Sequence, residues 1–152
     1  MFLAREGLEQ HKCRIRELLA NEPSIAVVAA AAYFEWTLSR GVLFLSRTPN
    51  SQLRAEMSHV YGLSKYKDLW KAELTYMADF LPLAKVVRNW AGLCDAFEAR
   101  NALVHGRNRA TRRMAEPWIT DMLVAAGHVR AWCQSHGAAL DERMPVRRRR
   151  DA

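Results

Sequence analysis

The stretch from Ser24 to Ser46 constrains the fold more than any other part of the chain. It is apolar on almost every face that a helix would present, and the run from Pro23 to Phe34 carries no charge. A helix that is hydrophobic all round must be covered on every side. The charge-free run falls short of the about 20 apolar residues that span a bilayer, so protein rather than lipid is expected to cover it. Elsewhere apolar residues recur with a period near 3.6 and alternating runs bounded by hairpin turns are missing, which predicts an all-α class. At 152 residues the chain suits one core.

Breaks in the pattern give the expected elements. A first helix runs from about Phe2 to Leu19, and Asn21-Glu22-Pro23-Ser24 ends it, with Ser24 as the expected N-cap of the second. Thr48-Pro49-Asn50-Ser51 stops the second helix, and shorter helices follow over about Gln52 to Tyr61 and Ser64 to Met77. Pro82 opens a long helix that runs unbroken to about His105 before Gly106, and Glu116-Pro117 opens the last, which ends near Ser135. Long helices with short joins predict an up-and-down four-helix bundle with additional short helices. The expected layout is one helical domain over residues 1–140 and a basic, disordered tail over 141–152.

The net charge of +7 is concentrated. Arg147, Arg148, Arg149 and Arg150 form one cluster; Arg107, Arg109, Arg112 and Arg113 form another with no acid between them, a local field that attracts phosphates. Cys13, Cys94 and Cys133 show no CxxC and no zinc-type Cys/His spacing, so no disulfide framework and no metal site are expected, and a reducing cytoplasm fits. The acids near the N-terminus are unlike a signal peptide, and no membrane span is expected. Gly-rich phosphate loops, paired hydrolase carboxylates and serine or cysteine nucleophile arrangements are not visible, and no cofactor is implied.

The predicted helix from Pro82 to about His105 carries the chemistry. Its apolar stripe is Leu83, Val87, Trp90, Cys94 and Phe97, and the same spacing continues to Asn101 and Val104, so an amide falls where the core pattern asks for an apolar group. His105 lies one turn beyond Asn101 and Glu98 three residues before it, which makes Glu98, Asn101 and His105 a polar strip. Arg100 projects about 100° away, with a stem long enough to bring its guanidinium back toward the histidine. RNA carries its own nucleophile, the 2′-hydroxyl. Its cleavage therefore needs no metal if one group moves protons and another neutralises charge on the phosphate. Histidine suits the first task, arginine the second, and Asn101 can orient the imidazole or donate to the phosphate.

The segment Arg100-Asn101-Ala102-Leu103-Val104-His105 resembles the R-x(4–6)-H signature, with Asn directly after Arg, of the HEPN family of helical domains, many of which are metal-independent endoribonucleases. The resemblance covers roughly residues 2 to 136. It implies that Arg100 and His105 are catalytic with Asn101 beside them, and that a homodimer pairs two motifs into one composite cleft. RNA is the implied substrate, a partner protein encoded nearby is a further candidate, and stress response or antiviral defence is the implied setting. Arg107, Arg109, Arg112 and Arg113 would flank the cleft as an RNA-binding rim. Where the toxin branch of the family has a tyrosine two residues after the histidine, this chain has Arg107, so the modification that tyrosine receives there has no acceptor here. The alternative is a non-catalytic HEPN-like module that binds RNA or nucleotide or docks on a partner.

Plainer readings stand beside these. His105 suits a helix C-terminus on electrostatic grounds alone. Glu35, the lone acid in the apolar run Ala29–Trp36, is expected to be buried against a cation, and Arg100 could pair with Glu35 or Glu98 as structural support. His128 reads as a boundary residue; His11, His59 and His136 read as surface residues. The tryptophans fit core positions, with Trp36 and Trp70 the ones to spare for base stacking.

Overall fold

The computed structural model describes residues 7–147. The predicted helix start at Phe2 and the tail residues Arg148, Arg149 and Arg150 lie outside the described residues. Among those described, all regular structure is helical: α1 (Leu8–Asn21), α2 (Pro23–Leu45), α3 (Asn50–Met57), α4 (Gly62–Leu74), α5 (Leu83–Val86), α6 (Trp90–Val104) and α7 (Arg112–Ser135). No helix among them is long and apolar enough to cross a membrane.

The apolar second segment is the centre of the molecule. α2 packs most extensively against α7 and also touches α1, α6, α4 and α3, which is why Ala31, Tyr33, Phe34 and Leu43 are all buried although they point in different directions around the helix. α2 and α7 approach closely at Gly41, where a Cβ would sit 2.6 Å from the Cys133 Sγ. Trp70 of α4 is fully buried beside this seam, and its indole N–H donates to the Leu81 carbonyl at 2.9 Å. It is therefore a core residue and unavailable for stacking on bases, whereas Trp36 is half-buried against Tyr33.

After α7 the chain returns across the end of α2. Ala138 and Leu140 are buried. The Arg40 guanidinium, 5.3 Å from the Trp36 ring centre and 5.6 Å from that of Phe44, donates through Nε to the Leu140 carbonyl (2.6 Å) and through Nη2 to that of Glu142 (2.7 Å). Arg147 donates through Nε to the Thr48 carbonyl (3.1 Å) and through Nη1 to that of Phe44 (3.4 Å). The Tyr76 hydroxyl donates to the Leu45 carbonyl. The last turn of a helix leaves carbonyls without an intrahelical partner, and at the end of α2 an arginine and a tyrosine from distant parts of the chain supply the donors.

Several sequence expectations are corrected. Ser24 is not the N-cap of α2: Pro23 begins the helix after Glu22, and the Ser24 hydroxyl instead accepts from the Ala110 amide at 3.0 Å, tying the start of α2 to the loop before α7. The long helix from Pro82 to His105 is two helices. Val87 is extended (φ −83°, ψ 108°), and Asn89 caps α6 by accepting from the Gly92 amide at 3.1 Å. The last helix starts at Arg112, with the Thr111 side chain accepting from Met114 N, so Pro117 lies inside it. His11 is fully buried beside Tyr33 and Trp36 and is no surface residue. His136 is half-buried, 2.7 Å from the Asp79 carboxylate, with its ring over Trp132.

Candidate functional site

α6 turns Leu93, Ala96 and Phe97 into the core, and Arg100 occupies the next inward position of that i, i+3, i+4, i+7 series. A long cation thus enters the seam facing α2 just where α2 presents its lone acid. Arg100 Nη2 lies 3.7 Å from Glu35 Oε1, with the side chains 26% and 18% exposed, and Nη1 donates to Asn101 Oδ1 at 2.9 Å. The Arg100 Nε–H is buried with no hydrogen-bond partner among the described residues. Burial pushes the Glu35 carboxyl above its ordinary value and Arg100 pulls the other way without cancelling it. The Tyr66 phenol of α4 is raised by burial and by Glu35, against a hydrogen bond with Ser39. Glu35, Arg100, Asn101, Tyr66 and Ser39 therefore form one polar cluster joining α2, α4 and α6.

His105 is the residue that caps the C-terminus of α6. The Gly106 amide donates to the Leu103 carbonyl (3.1 Å) and the Arg107 amide to that of Ala102 (2.9 Å). Gly106 takes φ +67°, the left-handed conformation that this type of helix ending needs and that glycine adopts without strain. The turn leaves the imidazole of His105 in solvent, without a hydrogen-bond or ion-pair partner among the described residues. Histidine tolerates such a place because a helix C-terminus favours positive charge. The structure so unites Arg100, Asn101 and Glu35, with His105 one turn further at the exposed end. The Arg100 guanidinium reaches toward Glu35 and Asn101; no contact joins it to His105.

Asn101 and Val104 are exposed rather than core, because Arg100 takes the inward place and the end of α6 stands clear of its neighbours. Glu98 is not in the cluster. It lies on another face of α6 and lines, with Asp95, Ala102, Arg109, Met114 and Trp118, a cavity of about 410 Å³ between α6 and α7. Arg107, Arg112 and Arg113 are exposed. Arg112 and Arg113 stand in the first turn of α7, where the helix dipole favours negative rather than positive charge. No group of three or more His, Cys, Asp or Glu side chains among the described residues is arranged to hold a metal ion.

Tyr66 and Ser39 are the cluster members that sequence reasoning missed. Ser39 follows Glu35 by four residues and so shares its helix face, a signal that was present. Tyr66 comes from a separate helix with no local cue. His128, half-buried, accepts from the Arg88 amide through Nδ1 at 3.4 Å and braces the break before α6. No family model matches the chain, and no curated protein or solved structure matches it either.

Proposed function

We propose that this chain is a HEPN-type, metal-independent endoribonuclease that acts as a homodimer, with the up-and-down bundle of that family. The observation that carries the reading is the placement of Arg100, Asn101 and His105 at the exposed end of α6, directly before an arginine-rich turn that contains no acid. Glu35 acts as the positioning partner of Arg100: it lies 3.7 Å from one end of a guanidinium whose side chain keeps 26% of its surface exposed. In the composite cleft one His105 accepts the proton of the ribose 2′-hydroxyl as its oxygen attacks phosphorus. The other His105 protonates the departing 5′-oxygen, and Arg100 from each subunit balances charge on the phosphoryl oxygens. The products are a 2′,3′-cyclic phosphate and a 5′-hydroxyl. Arg107, Arg112 and Arg113 supply salt-sensitive, sequence-independent affinity for the backbone.

The test is incubation of the purified protein with single-stranded and hairpin RNA in EDTA, beside sedimentation to establish the dimer. Cleavage with cyclic phosphate ends, slowed by a factor of about 10² or more in His105→Ala with the dimer retained, is expected. Equal cleavage by His105→Ala removes the assignment. The engagement of Arg100 by Glu35 and Asn101 favours one second reading, a non-catalytic RNA-binding or partner-docking module in which Arg100 is structural. Salt-sensitive RNA binding without cleavage is its signature.

A further inference from the structure

The cavity lined by Asp95, Glu98, Arg109 and Trp118 contradicts its surroundings in charge. It opens beside a turn rich in arginine, yet it contains two carboxylates, one turn apart on α6, and one guanidinium. Neither Asp95 nor Glu98 has a hydrogen-bond or ion-pair partner among the described residues, and Arg109 has none. Burial raises the neighbouring Cys94 thiol, and both carboxylates add to that rise against Lys67. A phosphate is repelled by such a pair; what it accepts is a ligand that presents N–H donors. The rest of the wall is flat or soft: Trp118 is half-buried, Met114 exposed, and Ala99 and Ala102 leave room. An aromatic plate, a thioether and small side chains suit a planar heterocycle.

We infer that this cavity is a base-reading subsite for a guanine next to the cleaved phosphate, with Glu98 the reading residue. The inference rests on RNA being the polymer held by the arginines at 107–113. Among the RNA bases, guanine alone offers two adjacent donors on its Watson–Crick edge, N1–H and N2–H, matching the two oxygens of one carboxylate. Cytosine and adenine set an acceptor nitrogen beside their amino group, and uracil flanks its single N–H with two carbonyl oxygens; each would oppose lone pair to lone pair. Arg109, on the same wall, is placed for the phosphate of that nucleotide, and Trp118 for its ring face. Glu98 and Ala102 lie on the α6 face adjoining His105, so a base seated here leaves its sugar-phosphate directed toward the imidazole.

The experiment uses 2′-O-methyl pentanucleotides, which lack the nucleophile, so it reads binding whether or not the protein cleaves. Oligomers of uridine with a single central G, A, C or U are titrated by fluorescence anisotropy at low salt in EDTA. The G oligomer is expected to bind about 10-fold more tightly than the others, the discrimination of one good bidentate contact. Glu98→Gln should reduce that preference to within about 2-fold, since the amide offers one acceptor where two are needed. Trp118→Leu should weaken all four oligomers alike, and Arg107→Ala should do so while keeping the preference for G. Equal affinities in the wild type overturn the inference, as does a G preference that survives in Glu98→Gln. G-selective binding without cleavage of ordinary RNA leaves the subsite standing and removes the nuclease reading; cleavage without G-selective binding does the reverse.

Discussion

Replacing Arg100 with alanine separates a structural cation from a catalytic one. At 3.7 Å and an effective dielectric near 20, the attraction between Arg100 and Glu35 is about 4 kcal/mol before the cost of drawing both groups out of water. The pair is loose, partly exposed and lacks a direct hydrogen bond, so most of that attraction offsets desolvation. What Arg100→Ala exposes is the cost of leaving Glu35 half-buried and alone, about 1–2 kcal/mol near neutral pH. This cost depends on pH with a definite sign. Burial holds the Glu35 carboxyl above its ordinary value of 4.5 even with Arg100 present, and the variant loses the influence that lowers it. The native state then keeps a proton that the unfolded chain has released. Its contribution to stability is full below 4.5 and is lost as pH rises through the native value. Urea melts of wild type, Arg100→Ala and Arg100→Ala/Glu35→Gln at about pH 5 and about pH 7.5 read the effect. Arg100→Ala should lose stability relative to wild type mainly at the higher pH, and the double variant should recover about 1 kcal/mol there. A deficit equal at both pH values and untouched by Glu35→Gln would refute the account, because the guanidinium would then stabilise by packing alone.

Gly41→Ala should destabilise by about 1 kcal/mol: the helix-propensity gain of about 0.5–1 kcal/mol is outweighed by overpacking against Cys133. In a Cys133→Ala background the same change should become stabilising, and thermal melts of the wild type, the two single variants and the double variant check the reversal. Asn89→Ala removes the cap of α6 and the contact with Asp121 and should cost about 1 kcal/mol in chemical denaturation. In native protein at about pH 8, a thiol reagent should modify the exposed Cys13 at once and leave Cys133 untouched until unfolding. Burial pushes the Cys133 thiol up to about 12, so almost no thiolate is present to react.

The all-helical class and the central place of α2 were legible, because one segment apolar on every face admits few alternatives. The pairing of Glu35 with a cation was legible too, since a lone acid in such a segment needs a partner. The break at Val87 was not: the four-and-three spacing of Leu83, Val87, Trp90, Cys94 and Phe97 runs straight through it, and no proline or glycine marks the spot. Only Asn89, three residues before Gly92, hinted at a cap. His11 was misread although the signal was present, for it precedes Ile15 by four and Leu19 by eight and so shares their buried face. The contact of His136 with Asp79 joins residues far apart in the chain and had no local trace. The separation of Glu98 from Arg100 follows from helix geometry; what periodicity alone could not say was which face α7 would cover.

Arg40 and Arg147 hold the returning chain by different handles. Arg40 grips main-chain oxygens of the segment itself, at Leu140 and Glu142, while Arg147 reaches back to those of Phe44 and Thr48. A clasp of this kind is indifferent to the letters written at its captured positions. Mutational drift at Glu142 should leave the Arg40 attachment intact, whereas loss of either guanidinium throws the load onto the Arg130–Asp141 pair and the Asn50 contacts with Pro145 and Arg147.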